Sequence, residues 1–227
     1  MCGRYVSPDD AAIERAFDLP RAGRGLRAHY NVAPSQQAPV IRWLEGAPRL
    51  DELRFGLVPF FAKGQAGRYA TFNARLETLE TSPSFRGPWR RAQRCLVPAQ
   101  GFYEWHVNPD GSKQPYFIAL ADRPIFAFAG LWDRSVAEDG TAVESFTIVT
   151  MAANALLSRI HNAKPRMPAI LAREAERAWL EGGAAAAHAV LVPYPDAAMR
   201  AHPVSARVNS PRNDDPDLVA PFPEPNP

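Results

Sequence analysis

Cysteine is almost absent from the sequence. Cys2 and Cys95 are the only two in 227 residues, too few for a disulfide framework. No apolar run approaches the roughly 18–20 residues of a membrane-spanning helix. The first residues, MCGRYVSPDD, lack the basic start and apolar stretch of a signal peptide. A reducing, cytoplasmic setting and no membrane partner are expected. His29, His106, His161, His188 and His202 show no metal-ligand spacing, and neither CxxC nor HExxH occurs. A glycine-rich phosphate loop is missing too, so no metal and no cofactor are expected. Nor does charge of one sign dominate. The 26 Lys and Arg against 24 Asp and Glu leave a net +2, which permits a local basic groove without establishing one.

What is abundant is proline. The 23 prolines are spread along the chain and cut it into short elements. Ser7-Pro8-Asp9-Asp10 predicts an N-cap at Ser7 with proline at the first helical position. Two further helices are expected at Ala152–Ile160 and Ala172–Leu180. Runs rich in branched and aromatic residues predict strands at Val40–Leu44, Leu53–Val58, Arg94–Val97, Gly101–Val107, Tyr116–Ala121, Ile125–Leu131, Ser145–Thr150 and Ala189–Val192. Many short strands with few helices predict an α+β fold: a strongly bent, barrel-like, mostly antiparallel sheet with a few flanking helices. One domain over residues 1–222 is expected. From about Ser210 the prolines favour an extended strap, ending in a frayed tail at 223–227.

Cys2 is the first candidate for chemistry. Removal of Met1 would leave a free 1,2-aminothiol. Its α-amine has a reference pKa of about 7.7–8, against about 10.4 for lysine, so far more of it is unprotonated at neutral pH. Such an amine attacks an aldehyde to give a Schiff base, and the adjacent thiol can close a five-membered thiazolidine. The ordinary alternative is a second-position cysteine with no role. Asn73, in TFNARLET, could hold an amine or a sugar oxygen, or could merely make a turn. On a strand over 101–107, Phe102, Glu104 and His106 share one face and Tyr103, Trp105 and Val107 the other. Glu104 is then either a desolvated carboxyl of raised pKa or an exposed surface acid. His161 could shuttle protons or simply sit at a helix end. Arg4, Arg75, Arg86, Arg90, Arg91 and Arg166, interleaved with Trp89 and Trp105, suit single-stranded nucleic acid or a solvated surface. Cys95 is assigned to the core.

The order and wording of these segments carry more than any one of them. MCGRY, YNVAPSQ from Tyr30, LRFGLVPFFA from Leu53, NARLET from Asn73, PSFR from Pro83, RRAQRCLVPAQGFYEW from Arg90, KQPYFIAL from Lys113, FAFAGLWD from Phe126, IHNAKPRMPAIL from Ile160 and VSARVNSPRND from Val204 together resemble the SOS response-associated peptidase (SRAP) family. The resemblance runs over essentially the whole chain. It implies that Cys2 is exposed by self-processing and forms a thiazolidine with the ring-opened aldehyde of an abasic site in single-stranded DNA. It implies Asn73 as the residue positioning the Cys2 amine, Glu104 as proton handler and His161 as an aid to Schiff-base chemistry. Arg4, Arg75 and Arg166 look like phosphate contacts. Pro34, Trp105 and Thr150 look like residues lining the lesion. A monomer, a thiol autopeptidase activity, possible lyase-like chemistry, and nucleoid association when bound to DNA are implied as well. Phe55 and Gln100 depart from the family's more usual tryptophan and aspartate, and the stretch from His161 to Arg166 is longer than its shortest form.

Three rivals remain at this point. Met-Cys-Gly also resembles the start of glutamine amidotransferases with an N-terminal cysteine nucleophile, but no NGE-type or GDG-type motif occurs downstream. A peptidase acting on other proteins is the second. The third is a nucleic-acid-binding module without a covalent step, whose complexes would dissolve in salt.

Overall fold

The computed structural model describes residues 2–21, 23–67 and 70–222. In chain order its strands are β1 (Tyr5–Ser7), β2 (His29–Val32), β3 (Gln37–Leu44), β4 (Ala47–Phe55), β5 (Asn73–Arg75), β6 (Arg94–Ala99), β7 (Gly101–Val107), β8 (Lys113–Leu120), β9 (Phe126–Val136), β10 (Ala142–Ala152), β11 (Arg166–Pro168), β12 (Ile170–Leu171) and β13 (Met199–Pro203). The α-helices are short: α1 (Asp10–Ala16), α2 (Arg86–Arg90), α3 (Ala155–Ile160), α4 (Glu176–Glu181) and α5 (Ala184–Ala189).

The longest apolar strands close on themselves. β4, β3, β6 and β9 are neighbours in that order, and β10 pairs with both β9 and β4. The result is a five-stranded closed barrel, which leaves no free edge along the ring. All its pairings are antiparallel except β10 with β4, which is parallel through Ser145 opposite Arg54 and Phe146 opposite Phe55. Inside, the Phe55 and Phe146 rings stack with centroids 5.2 Å apart. A second sheet, in the order β13, β8, β7, β1, β2, lies alongside. The α+β, barrel-like expectation holds.

Barrel closure needs one bare backbone position. A Cβ added to Gly130 of β9 would sit 2.7 Å from Cys95 Sγ and 2.9 Å from Val97 Cγ2. Gly130→Ala should therefore destabilise the protein by about 1–3 kcal/mol through overpacking. Urea unfolding measures this, and an unchanged midpoint would contradict the packing.

The strap after β13 is tied down by polar groups. Asn31 Nδ2 donates to the carbonyls of Val208, Ser210 and Asn213 at 3.2, 3.0 and 2.9 Å. Asp214 accepts from the Tyr30 and Asn31 N–H groups and meets His29 Nδ1 at 2.8 Å. Val204, Val208 and Leu218 bury their side chains against Val6 and Tyr103. The expected frayed tail at 223–227 lies outside the described residues.

Several local expectations need correction. The first helix is capped by Asp9, whose side chain accepts from the Ala12 N–H, and not by Ser7. Ser7 is drawn into β1, where it pairs opposite His29. The strand expected at Ala189–Val192 is instead the end of α5 and a turn that buries Leu191 in the core. The Ala184–Ala187 run is strongly helix-forming, and no strand edge recruits the residues after it. Trp89, expected among the base-stacking aromatics, is buried against Trp179 with ring centroids 6.1 Å apart. No helix among the described residues is long and apolar enough to cross a membrane.

Candidate active site

The period-two alternation of β7 divides its side chains as the sequence predicts. Phe102 belongs to the main core, while Tyr103 packs on the opposite face with the strap. β1 runs antiparallel to β7, with Tyr5 opposite Phe102. The Tyr103 N–H donates to the Arg4 carbonyl at 3.0 Å. Extending this register brings the residues before Arg4 alongside Glu104. Cys2 is fully buried there. Burial raises its thiol pKa far above the ordinary value, and the charge of Glu104 adds to the effect. The sulfur is held as a thiol.

Asn73 reaches Cys2 from another direction. β5 lies parallel to β10, with Asn73 opposite Ile148 and Arg75 opposite Thr150. The Asn73 amide donates to the Cys2 carbonyl at 3.0 Å and to the Phe72 carbonyl at 3.0 Å. Both donor contacts fix the amide orientation. Its oxygen, Oδ1, is buried and has no hydrogen-bond partner among the described residues. It is therefore an acceptor held beside the Cys2 backbone, suited to an N–H group.

Glu104 and His161 face each other in the site. Glu104 is only 2% exposed. Burial pushes its carboxyl pKa up to about 7. His161 comes directly after α3, whose N-cap Asn154 accepts from the Leu157 N–H at 2.9 Å. Its Nε2 lies 3.7 Å from Glu104 Oε2, and its Nδ1 is 3.2 Å from the Arg166 carbonyl. A carbonyl can only accept, so Nδ1 carries the hydrogen and the neutral ring turns its lone pair on Nε2 towards Glu104. Burial also lowers the His161 pKa. An acid made weaker and a base made weaker face each other, which keeps a proton on the carboxyl near neutrality.

The remaining predicted contacts divide. Thr150 is buried and sits in register with Arg75, whose side chain is exposed and makes no hydrogen bond among the described residues. Arg166 lies beside them. It forks onto Glu77 at 2.6 and 2.9 Å and donates to the Thr150 carbonyl at 2.8 Å. Arg4 turns to the strap, donating to the Val208 and Asn209 carbonyls at 2.6 and 3.1 Å. Trp105 Nε1 donates to Asn209 Oδ1 at 2.8 Å. Pro34 is half-buried in the turn after β2. A cavity of about 480 Å³ opens beside Glu104 and His161, with Trp105, Lys113, Lys164 and Asn209 among its other walls. Sequence reasoning missed both lysines and Asn209. Lys113 was detectable in principle, since it pairs opposite Val107 beside the turn of the β7–β8 hairpin. Lys164 gave no signal beyond its place in the longer stretch after His161. Among the described residues no group of three or more His, Cys, Asp or Glu is placed to hold a metal ion.

A family model described as SOS response associated peptidase (SRAP) matches residues 1–211. The chain belongs to this family. Among similar SRAP relatives is the abasic site processing protein YoqW of Bacillus subtilis, 39% identical over 226 residues, covering 96% of this chain and 99% of that one. The abasic site processing protein HMCES of Gallus gallus is 32% identical, covering 98% of this chain and 78% of that one. Of solved structures, a Bacteroides thetaiotaomicron protein matches with a TM-score of 0.76 at 32% identity, covering 85% of each chain. A Bordetella bronchiseptica protein matches with a TM-score of 0.78 at 29% identity, over 90% of this chain and all of that one.

Proposed function

We propose that this protein processes abasic sites in DNA and does so by covalent capture through Cys2. The observation that carries this reading is the convergence on Cys2. The Asn73 amide holds its carbonyl, and the charge of Glu104, whose own pKa is raised to about 7, is felt at its thiol. Loss of Met1, which autoproteolysis by the Cys2 thiol would supply, frees the α-amine. That amine attacks the ring-opened aldehyde carbon of the lesion. Asn73 Oδ1 accepts an N–H of the amine and aims its lone pair. Protonated Glu104 gives its proton to the departing hydroxyl, the nitrogen returns its own proton to Glu104, and water leaves as the imine forms. The thiol then adds across the C=N bond: sulfur bonds to carbon, and the thiol proton passes to nitrogen by way of His161 and Glu104. The balance is aminothiol plus aldehyde giving thiazolidine plus water. Neutral His161 suits this relay because it can accept a proton at Nε2.

Single-stranded DNA fits best as the partner. A lesion aldehyde must leave the base stack to reach a buried cysteine, and unpaired strands already allow it. Exposed Arg75 and the half-buried Trp105 supply a cation and a stacking face. The test uses full-length protein, checked by intact mass for loss of Met1, with an oligonucleotide carrying one abasic site. A protein–DNA band should persist on a denaturing gel and in high salt. Its absence with Met1-free protein would sink the proposal.

A further inference from the structure

We propose that Lys113 and Lys164 form a phosphate-binding subsite in the cavity beside Glu104 and His161, which seats a DNA linkage flanking the lesion. This deepens the reading of the site as one for abasic single-stranded DNA and rests on it. Three observations support it.

First, the cavity is continuous with the catalytic pair and of ligand size, about 480 Å³. Its walls combine two ammonium groups, the indole of Trp105 and the side chain of Asn209. Cations for a phosphodiester, an aromatic face for a base and an amide for a polar edge are what single-stranded nucleic acid requires. Second, neither lysine forms an ion pair among the described residues. The arginines nearby are already engaged, Arg4 with strap carbonyls and Arg166 with Glu77. An incoming phosphate therefore meets the lysines as unneutralised charge, whereas at Arg166 it must displace a carboxylate. Third, the segment bearing Lys164 is held in place. Asn162 bridges it to the edge of β7, accepting from the Val107 N–H at 3.0 Å and donating to the Val107 carbonyl at 2.9 Å. Val107 is itself opposite Lys113 in the hairpin. One residue pair thus fixes both cations relative to each other. Lys113 lines the cavity from the hairpin and Lys164 from the His161–Arg166 segment, and Glu104 belongs to the same wall.

The experiment measures binding and capture separately. Equilibrium binding of a fluorescent single-stranded oligonucleotide without a lesion is followed by anisotropy across a salt series. Lys113→Gln/Lys164→Gln should bind several-fold more weakly, with a log–log salt slope shallower by about 1 to 1.4, as expected for two lost phosphate contacts on a single strand. Arg177→Gln, an exposed charge on α4 outside the cavity, should leave the slope unchanged. Capture rates are then measured on abasic oligonucleotides in which one flanking linkage at a time is a neutral methylphosphonate. In the native protein one such linkage should slow capture. In the double lysine variant the same linkage should make no further difference. Equal salt slopes for native and double variant, or a methylphosphonate penalty that persists in the variant, overturns the subsite. Intact salt slopes and lysine dependence without any denaturant-stable band would instead overturn covalent capture and leave the subsite standing.

Discussion

Cys2→Ala is expected to eliminate the denaturant-stable adduct with abasic single-stranded DNA, lowering its rate of formation by on the order of 10³-fold or more. The reason is specific to the second step. An N-terminal alanine still offers an amine, so a Schiff base can form, but no sulfur is present to close the ring. The variant should therefore yield a product only when borohydride is added to reduce the imine. Cys2→Ser should behave alike, since a hydroxyl adds to the imine far less well than a thiol. Intact mass must accompany both. If the Cys2 thiol itself removes Met1, both variants will retain it and even the borohydride product will vanish. A Cys2→Ala protein that still gives a heat-stable band without reductant would refute the thiazolidine. Because Cys2 is buried, loss of its sulfur should cost on the order of 1 kcal/mol of stability, too little to unfold the protein.

Glu104→Gln should separate activity from stability. The variant keeps the shape of the side chain but has no proton to give, so adduct formation should slow by about 10²–10⁴-fold. The native enzyme should also lose rate above about pH 7, as Glu104 gives up the proton it holds at its raised pKa. That alkaline limb should be missing in the variant. Stability should move the other way. Glu104 has a folded pKa of about 7 against an ordinary 4.5. Between those values the folded state keeps a proton that the unfolded state has lost, so native stability falls as pH rises through this window. Above about pH 7 the full penalty applies, on the order of 3 kcal/mol. Glutamine carries none of it. Calorimetry should find the variant level with the native protein below about pH 4.5. Above pH 7 its Tm should be higher by about 6–12 °C. A Tm difference that does not change with pH would contradict the buried, raised carboxyl.

Much of the scaffold was legible because it arises from local pattern. The alternation in GFYEWHV gave strand β7 its limits and assigned Phe102 and Tyr103 to opposite faces. The apolar runs located β6, β9 and β10 for the same reason. Three-residue strands were not legible. β1 and β5 exist because a longer neighbour offers paired backbone groups, β7 and β10 respectively, and three residues carry no period of their own. The same tertiary pull took Ser7 out of its expected cap and left the role to Asp9. The parallel contact of β4 with β10 that closes the barrel joins segments about 90 residues apart, so no short window contains it.

The site shows the same division. Cys2, Asn73, Glu104 and His161 were candidates by their chemistry, each with an ordinary alternative, and it was the resemblance to the SRAP family that singled them out. Which arginines are free to meet phosphate was not readable. Arg4 and Arg166 are engaged by the strap and by Glu77, while Lys113 and Lys164 open onto the cavity. For Glu104 the sequence by itself determined a carboxyl among aromatics. Only the tertiary structure made it an acid with a pKa near 7. Desolvation depends on everything that excludes water from a point in space, and here that comes from segments scattered from Cys2 to the strap.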